Sequence, residues 1–164
     1  MTATYEKIAT STLGSAAADV TFSTISGSYT DLVLVYAVKS VAVNVDINCR
    51  LNGDTGSNYS STLLSGTGSA ASSTRTSNET FARLNWYGYP STNNNSNAIH
   101  HFLNYSNTTT YKTIMGRANN ADNGTNAGVN LWRNTSAITS IKIYASSGNL
   151  DAGSTFTLYG IKAE

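Results

Sequence analysis

Two adjacent histidines, His100 and His101, are the first place to look for metal or acid–base chemistry in this chain. They fall in an alternating run, Ala98 to Tyr105, that predicts a β-strand. Their side chains then point to opposite faces and cannot hold one metal together. One is expected to be buried and hydrogen-bonded, the other exposed. The nine acidic residues are scattered. None forms a local pair suited to acid–base work, although carboxylates remote in sequence can meet in a fold. There is no Gly-X-Ser-X-Gly elbow. Gly66-Thr67-Gly68 has no helix after it, so a phosphate cradle is unsupported. This reading assigns no catalytic, cofactor-binding or metal residue and no cofactor, and expects a protein that is not an enzyme.

Two further groups carry polar or aromatic chemistry. Asn52-Gly53-Asp54-Thr55-Gly56-Ser57-Asn58 places side-chain oxygens at Asn52, Asp54 and Asn58, as a calcium loop does. It has a single carboxylate and no closing glutamate, so a turn is the expected structure. Trp86, Tyr87 and Tyr89 precede an asparagine-rich loop containing Asn93, Asn94 and Asn95. Aromatic faces beside Asn amides are what sugar sites use, and core packing is the competing reading. Cys49, the sole cysteine, alternates with Ile47 and Leu51 and is expected to be a small buried hydrophobe.

The elements that would position these residues are strands. Tyr29 to Val38 is a mostly apolar run of a kind covered on both faces. Ile47 to Leu51 alternates and stops at Asn52-Gly53, a hairpin-type turn signal. Tyr5 to Ala9, Val20 to Phe22, Tyr59 to Leu64, Ala98 to Tyr105, Tyr111 to Arg117, Ile138 to Ala145 and Thr155 to Ile161 are further candidates. Val41 to Val45 suits an extended loop or an edge strand. Ser65 to Ser77, Ser91 to Asn97 and Asn119 to Ala127 read as long polar loops. Ten or eleven short strands with frequent turns predict one antiparallel two-sheet β-sandwich spanning residues 1–164, jelly-roll-like by preference.

Composition agrees and narrows the function. Only 12% of the 164 residues are charged, and polarity comes from 22 Ser, 23 Thr and 19 Asn, which favour turns and strands over helix interiors. A net charge of +1 with dispersed basic residues argues against a nucleic-acid partner. No 18-residue apolar stretch exists, so no helical membrane span is expected. The first residues lack a basic and an apolar region, which argues against a signal peptide and for synthesis in a cytoplasm. The seven Asn-X-Ser/Thr sequons therefore carry no weight.

Several segments together carry a resemblance. These are Tyr5-Glu6-Lys7-Ile8-Ala9-Thr10, Tyr29 to Leu34, Leu51 to Tyr59, Asn104 to Lys112, Leu131 to Ile141 and Phe156 to Lys162. In this order they resemble small virion structural proteins of tailed phages, over nearly the whole chain. The resemblance implies a jelly-roll-like sandwich on the outside of a particle, usually oligomeric, and supplies no catalytic residues. Of the places on a particle that suit such a domain, the preferred expectation is a capsid decoration (cement) protein, a homotrimer at the virion surface that contacts the major capsid protein or another virion protein. The alternative is a fibre or spike tip that binds host glycan. On the decoration reading residues 1–15 form an anchoring arm, with Tyr5, Lys7 and Leu13 as its contacts.

Overall fold

The computed structural model describes residues 4–162. These form an all-β sandwich of two antiparallel sheets with twelve strands among the described residues. In chain order they are β1 (Tyr5–Thr12), β2 (Asp19–Phe22), β3 (Asp31–Val38), β4 (Ile47–Leu51), β5 (Tyr59–Gly66) and β6 (Ala71–Glu79). They continue with β7 (Ala82–Arg83), β8 (Ser96–Leu103), β9 (Lys112–Asn120), β10 (Gly124–Trp132), β11 (Ile141–Ala145) and β12 (Thr155–Ile161).

One sheet runs β1-β12-β3-β8-β9-β10-β5-β6 and the other β2-β11-β4-β7. Without β5, β6, β9 and β10, the remaining eight strands make two four-stranded sheets, β1-β12-β3-β8 and β2-β11-β4-β7. First pairs with last and second with second-to-last, which is jelly-roll winding. Two hairpins inserted in that frame, β5–β6 and β9–β10, extend one sheet to eight strands. The second sheet keeps four and covers one face of the first.

Between the sheets the alternation closes as expected. Leu32, Leu34, Tyr36 and Val38 of β3 meet Ile141 and Ile143 of β11 and Ile47, Cys49 and Leu51 of β4 in one buried cluster. Cys49 is a free, fully buried thiol whose pKa burial pushes up to about 12, so it is inert packing. Across β8, β9, β10 and β5 one inward row reads His100, Gly116, Gly128, Leu63. The two central glycines give room to the outer side chains. A Cβ on Gly116 would lie 1.9 Å from His100 Nδ1, and one on Gly128 would lie 2.2 Å from Leu63 Cδ2.

Several expectations are corrected. The tract Ser65 to Ser77 is no loop: most of it is the β5–β6 hairpin. Strand β6 has no buried face, so no apolar alternation marks it, and hydroxyl pairs such as Ser65 Oγ with Ser72 Oγ at 2.8 Å stand in for packing. The polar loop at 119–127 shrinks to a tight turn at Ala121–Asn123 between β9 and β10. Val41 to Val45 is irregular, as is the segment from Leu84 to Asn95. Asn52 and Gly53 do adopt positive φ, 52° and 70°, with Asp54 N donating to Leu51 O. They carry the chain from the small sheet to the large one instead of closing a hairpin.

The expected arm at residues 1–15 is, over Tyr5–Thr12, an edge strand paired with β12 of the chain's own sheet. Residues 1–3 of it lie outside the described residues. Leu13 is half-buried, held by a backbone exchange with the Gly153–Ser154 turn and packed against the core.

Candidate functional site

The aromatic run predicted from sequence is built on Arg83. The end of β7 is fixed by Asn130 of β10, whose Oδ1 accepts Arg83 N at 3.0 Å and whose Nδ2 donates to Arg83 O at 3.0 Å. The Arg83 guanidinium then donates to Asp46 Oδ2 at 3.1 Å and to Glu79 Oε1 at 3.3 Å. It also lies over the Trp86 ring at 4.3 Å and the Phe81 ring at 5.0 Å. Two carboxylates far apart in sequence thus meet through one cation. Burial raises the Asp46 carboxyl to about 6 although Arg83 pulls it down, so desolvation outweighs the ion pair here.

Trp86, Tyr87 and Tyr89 continue outward from this cation as partly exposed rings. Trp86 and Tyr87 are near-parallel with centroids 6.5 Å apart, and Tyr87 and Tyr89 are tilted at 5.9 Å. Burial raises the Tyr89 phenol, with Asp46 adding to the effect. Gly88 lets the run cross β9 closely: a Cβ there would meet the Ala118–Asn119 backbone at 3.1 Å. Asn120 Nδ2 of β9 donates to Tyr89 O at 2.6 Å and ties the run down.

The asparagine loop is anchored to the β9–β10 turn. The Asn94 side-chain amide bonds the Asp122 carboxylate, and Ser91 closes the loop by accepting Asn93 N and Asn94 N. Asn94 and Asn95 line a polar depression of about 320 Å³ whose other walls are Asn97 and residues 119–122. Asn93 is exposed and is not among the residues that line it. Both halves of the expected sugar platform are thus tied to the end of β9 and its turn, and the three rings are not among the residues that line this depression.

The histidines are split as expected, with one correction. His100 points inward, but neither ring nitrogen has a hydrogen-bond partner among the described residues, and it stacks on Tyr36 instead. His101 points outward and is half-buried. No group of three His, Cys, Asp or Glu side chains able to hold a metal occurs among the described residues. In the 52–58 loop Asp54 is surrounded by donors: Trp132 Nε1 at 2.7 Å, Asn58 Nδ2 at 2.9 Å and Gly56 N at 2.8 Å. Such an environment stabilises a carboxylate but repels a cation. The turn reading holds.

The outer face of the eight-stranded sheet is a surface that the sequence reading did not identify. Val35, Ile99, Arg117, Ala127 and Leu64 lie side by side across β3, β8, β9, β10 and β5. The neighbouring row is Tyr159, Val33, His101, Met115 and Val129. Val33 is buried among its neighbours, at 1% exposed, whereas Leu64 is 61% exposed, Met115 51%, Val129 41% and Val35 38%. Arg117 stands in the middle, with a shallow depression of about 440 Å³ on its β3–β8 side and others toward Leu64 and Met115. Of the expected anchoring residues, Tyr5 and Lys7 belong to the margin of this face, where the Tyr5 ring meets Tyr159 edge-on.

No family model matches the chain, and neither a curated protein nor a solved structure matches it. The polar alternation partners on this outer face, Thr62, Thr113 and Thr157 among them, explain why it reads as ordinary solvated sheet in sequence.

Proposed function

We propose that this protein is a virion structural protein, a capsid decoration module that binds by surface contact and stabilises the particle. The observation that carries the reading is the broad, uncovered apolar face of the eight-stranded sheet. Contiguous exposed apolar surface on a rigid scaffold marks an interaction site. The resemblance of its sequence segments to small tailed-phage virion proteins supports the same class. The location follows as the virion surface, with the major capsid protein or another virion protein as partner and a homotrimer as the working form. Many copies would add modest contacts into a large total.

Quantitative mass spectrometry of purified virions tests this. Copies on the order of hundreds per particle fit a capsid position, where weak contacts multiply. Absence of the chain from washed virions overturns the proposal.

A second reading, a fibre or spike tip that binds host carbohydrate, is favoured by the run of partly exposed rings at Trp86, Tyr87 and Tyr89. Aromatic faces stack on sugar C–H surfaces. On that reading Trp86→Ala abolishes signal on a glycan array while particles stay intact. Equal signal from both proteins ends it.

A further inference from the structure

We propose that the outer face of the eight-stranded sheet docks a protein surface that presents apolar side chains ringed by carboxylates, with Arg117 as its central anchor. This inference rests on the contact reading above and names the chemistry of the partner.

The charge pattern selects the occupant. Elsewhere on the molecule cations are matched: Lys142 with Asp19, Lys162 with Glu6, Lys39 with Asp151, and Arg83 with Asp46 and Glu79. Arg133 donates to Ser57 O and Asn78 Oδ1, and Lys112 Nζ donates to two backbone carbonyls. Lys7, Arg75 and Arg117 are different. Their side chains make no ion pair or hydrogen bond among the described residues, and all three are exposed.

Register puts these three on one face. Lys7 pairs with Tyr159, Arg75 with Thr62, and Arg117 with Ile99 and Ala127, all outward positions. The carboxylate at the margin, Asp31, already accepts Asn104 N. Among the described residues the face is therefore apolar and cationic, with Asp31 a hydrogen-bonded carboxylate at its margin.

A second copy laid face to face would bury Arg117 against an apolar and cationic surface whose marginal carboxylate, Asp31, is already engaged with Asn104 N, which is costly for a desolvated charge. Nucleic acid fits poorly too, because the cations sit on β6, β9 and β1, separated by apolar strands, where a phosphate chain needs a continuous basic track. An acidic protein surface satisfies both the apolar area and the cations. The size is sufficient: eight strands about 4.8 Å apart and eight residues about 3.3 Å each give a face near 900 Å². A standard interface takes roughly 800 Å² from each partner.

The test places a photo-crosslinking amino acid at Met115, or at Val43 as an exposed control off the face, in the full chain inside the cells that produce it. Support is a crosslink from position 115 to one protein, absent from position 43. Arg117→Glu must lower its yield at least about tenfold, as loss of an interfacial charge pair does. Replacing a carboxylate of that protein by lysine must restore binding to the Arg117→Glu chain. A crosslink to another copy of the chain, to nucleic acid, or to nothing overturns the proposal, as does full yield with Arg117→Glu. Whether the captured protein is a virion component decides the contact reading separately: a charge-swapped partner outside the particle sinks the decoration proposal and leaves the docking chemistry standing.

Discussion

The His100 imidazole lies on the Tyr36 ring, with centroids 5.6 Å apart and planes 25° from parallel. Both side chains are buried, and among the described residues neither the ring nitrogens nor the phenol oxygen has a hydrogen-bond partner. The pair joins β8 to β3 in the middle of the core, where a charged imidazole has no counterion.

Acid should therefore weaken the fold through this residue. Burial pushes His100 down to about 3 from an ordinary 6.5, so it stays neutral while the unfolded chain protonates. Stability falls as pH drops from about 6.5 toward 3, by up to about 4 kcal/mol if nothing offsets it. Asp46 acts with the opposite sign. Its raised carboxyl favours the folded state at low pH, and that contribution is lost as pH rises from about 4 through 6. In urea titrations His100→Leu should remove most of the acid loss, and Asp46→Asn should deepen it. Parallel pH profiles for wild type and His100→Leu would refute the assignment.

Gly116→Ala should cost about 1–3 kcal/mol, although alanine suits a strand better than glycine. The reason is the 1.9 Å approach of the new Cβ to His100 Nδ1. Most of that cost should vanish in a His100→Ala background, which a double-mutant cycle on denaturation midpoints measures. Additive costs would mean that the ring does not compete for this space.

Asp54→Ala should destabilise by about 2 kcal/mol, because Trp132 Nε1, Asn58 Nδ2 and Gly56 N all lose their acceptor. Millimolar calcium should leave the melting temperature of the wild type unchanged. A rise of several degrees with calcium, lost in Asp54→Ala, would reinstate a metal loop.

Arg83→Met keeps much of the side-chain volume but strands Asp46 and Glu79. The expected loss is about 2 kcal/mol, partly recovered by adding Asp46→Asn, since removing the unpaired buried charge offsets its desolvation. Tryptophan emission should shift as Trp86 loses the cation stacked on it. An unchanged midpoint and spectrum would show that the Arg83 network is ornamental.

The sequence by itself determined the class of fold and much of the core. Period-two alternation at Ile47 to Leu51, Ala98 to Phe102 and Phe156 to Ile161 places the strands because backbone pleating alternates side chains whatever the neighbours are. The low charge and the Ser, Thr and Asn content followed the same all-β logic. Strand β6 was invisible because it has no buried face, and alternation records burial, not pairing. Tertiary structure alone decided that Arg83 gathers Asp46, Glu79 and Trp86, since those contacts cross loops and sheets. It alone decided that Val35, Leu64, Met115 and Val129 share an open surface. Alternation tells which residues face together but not where the opposing sheet stops, and here it stops at four strands against eight.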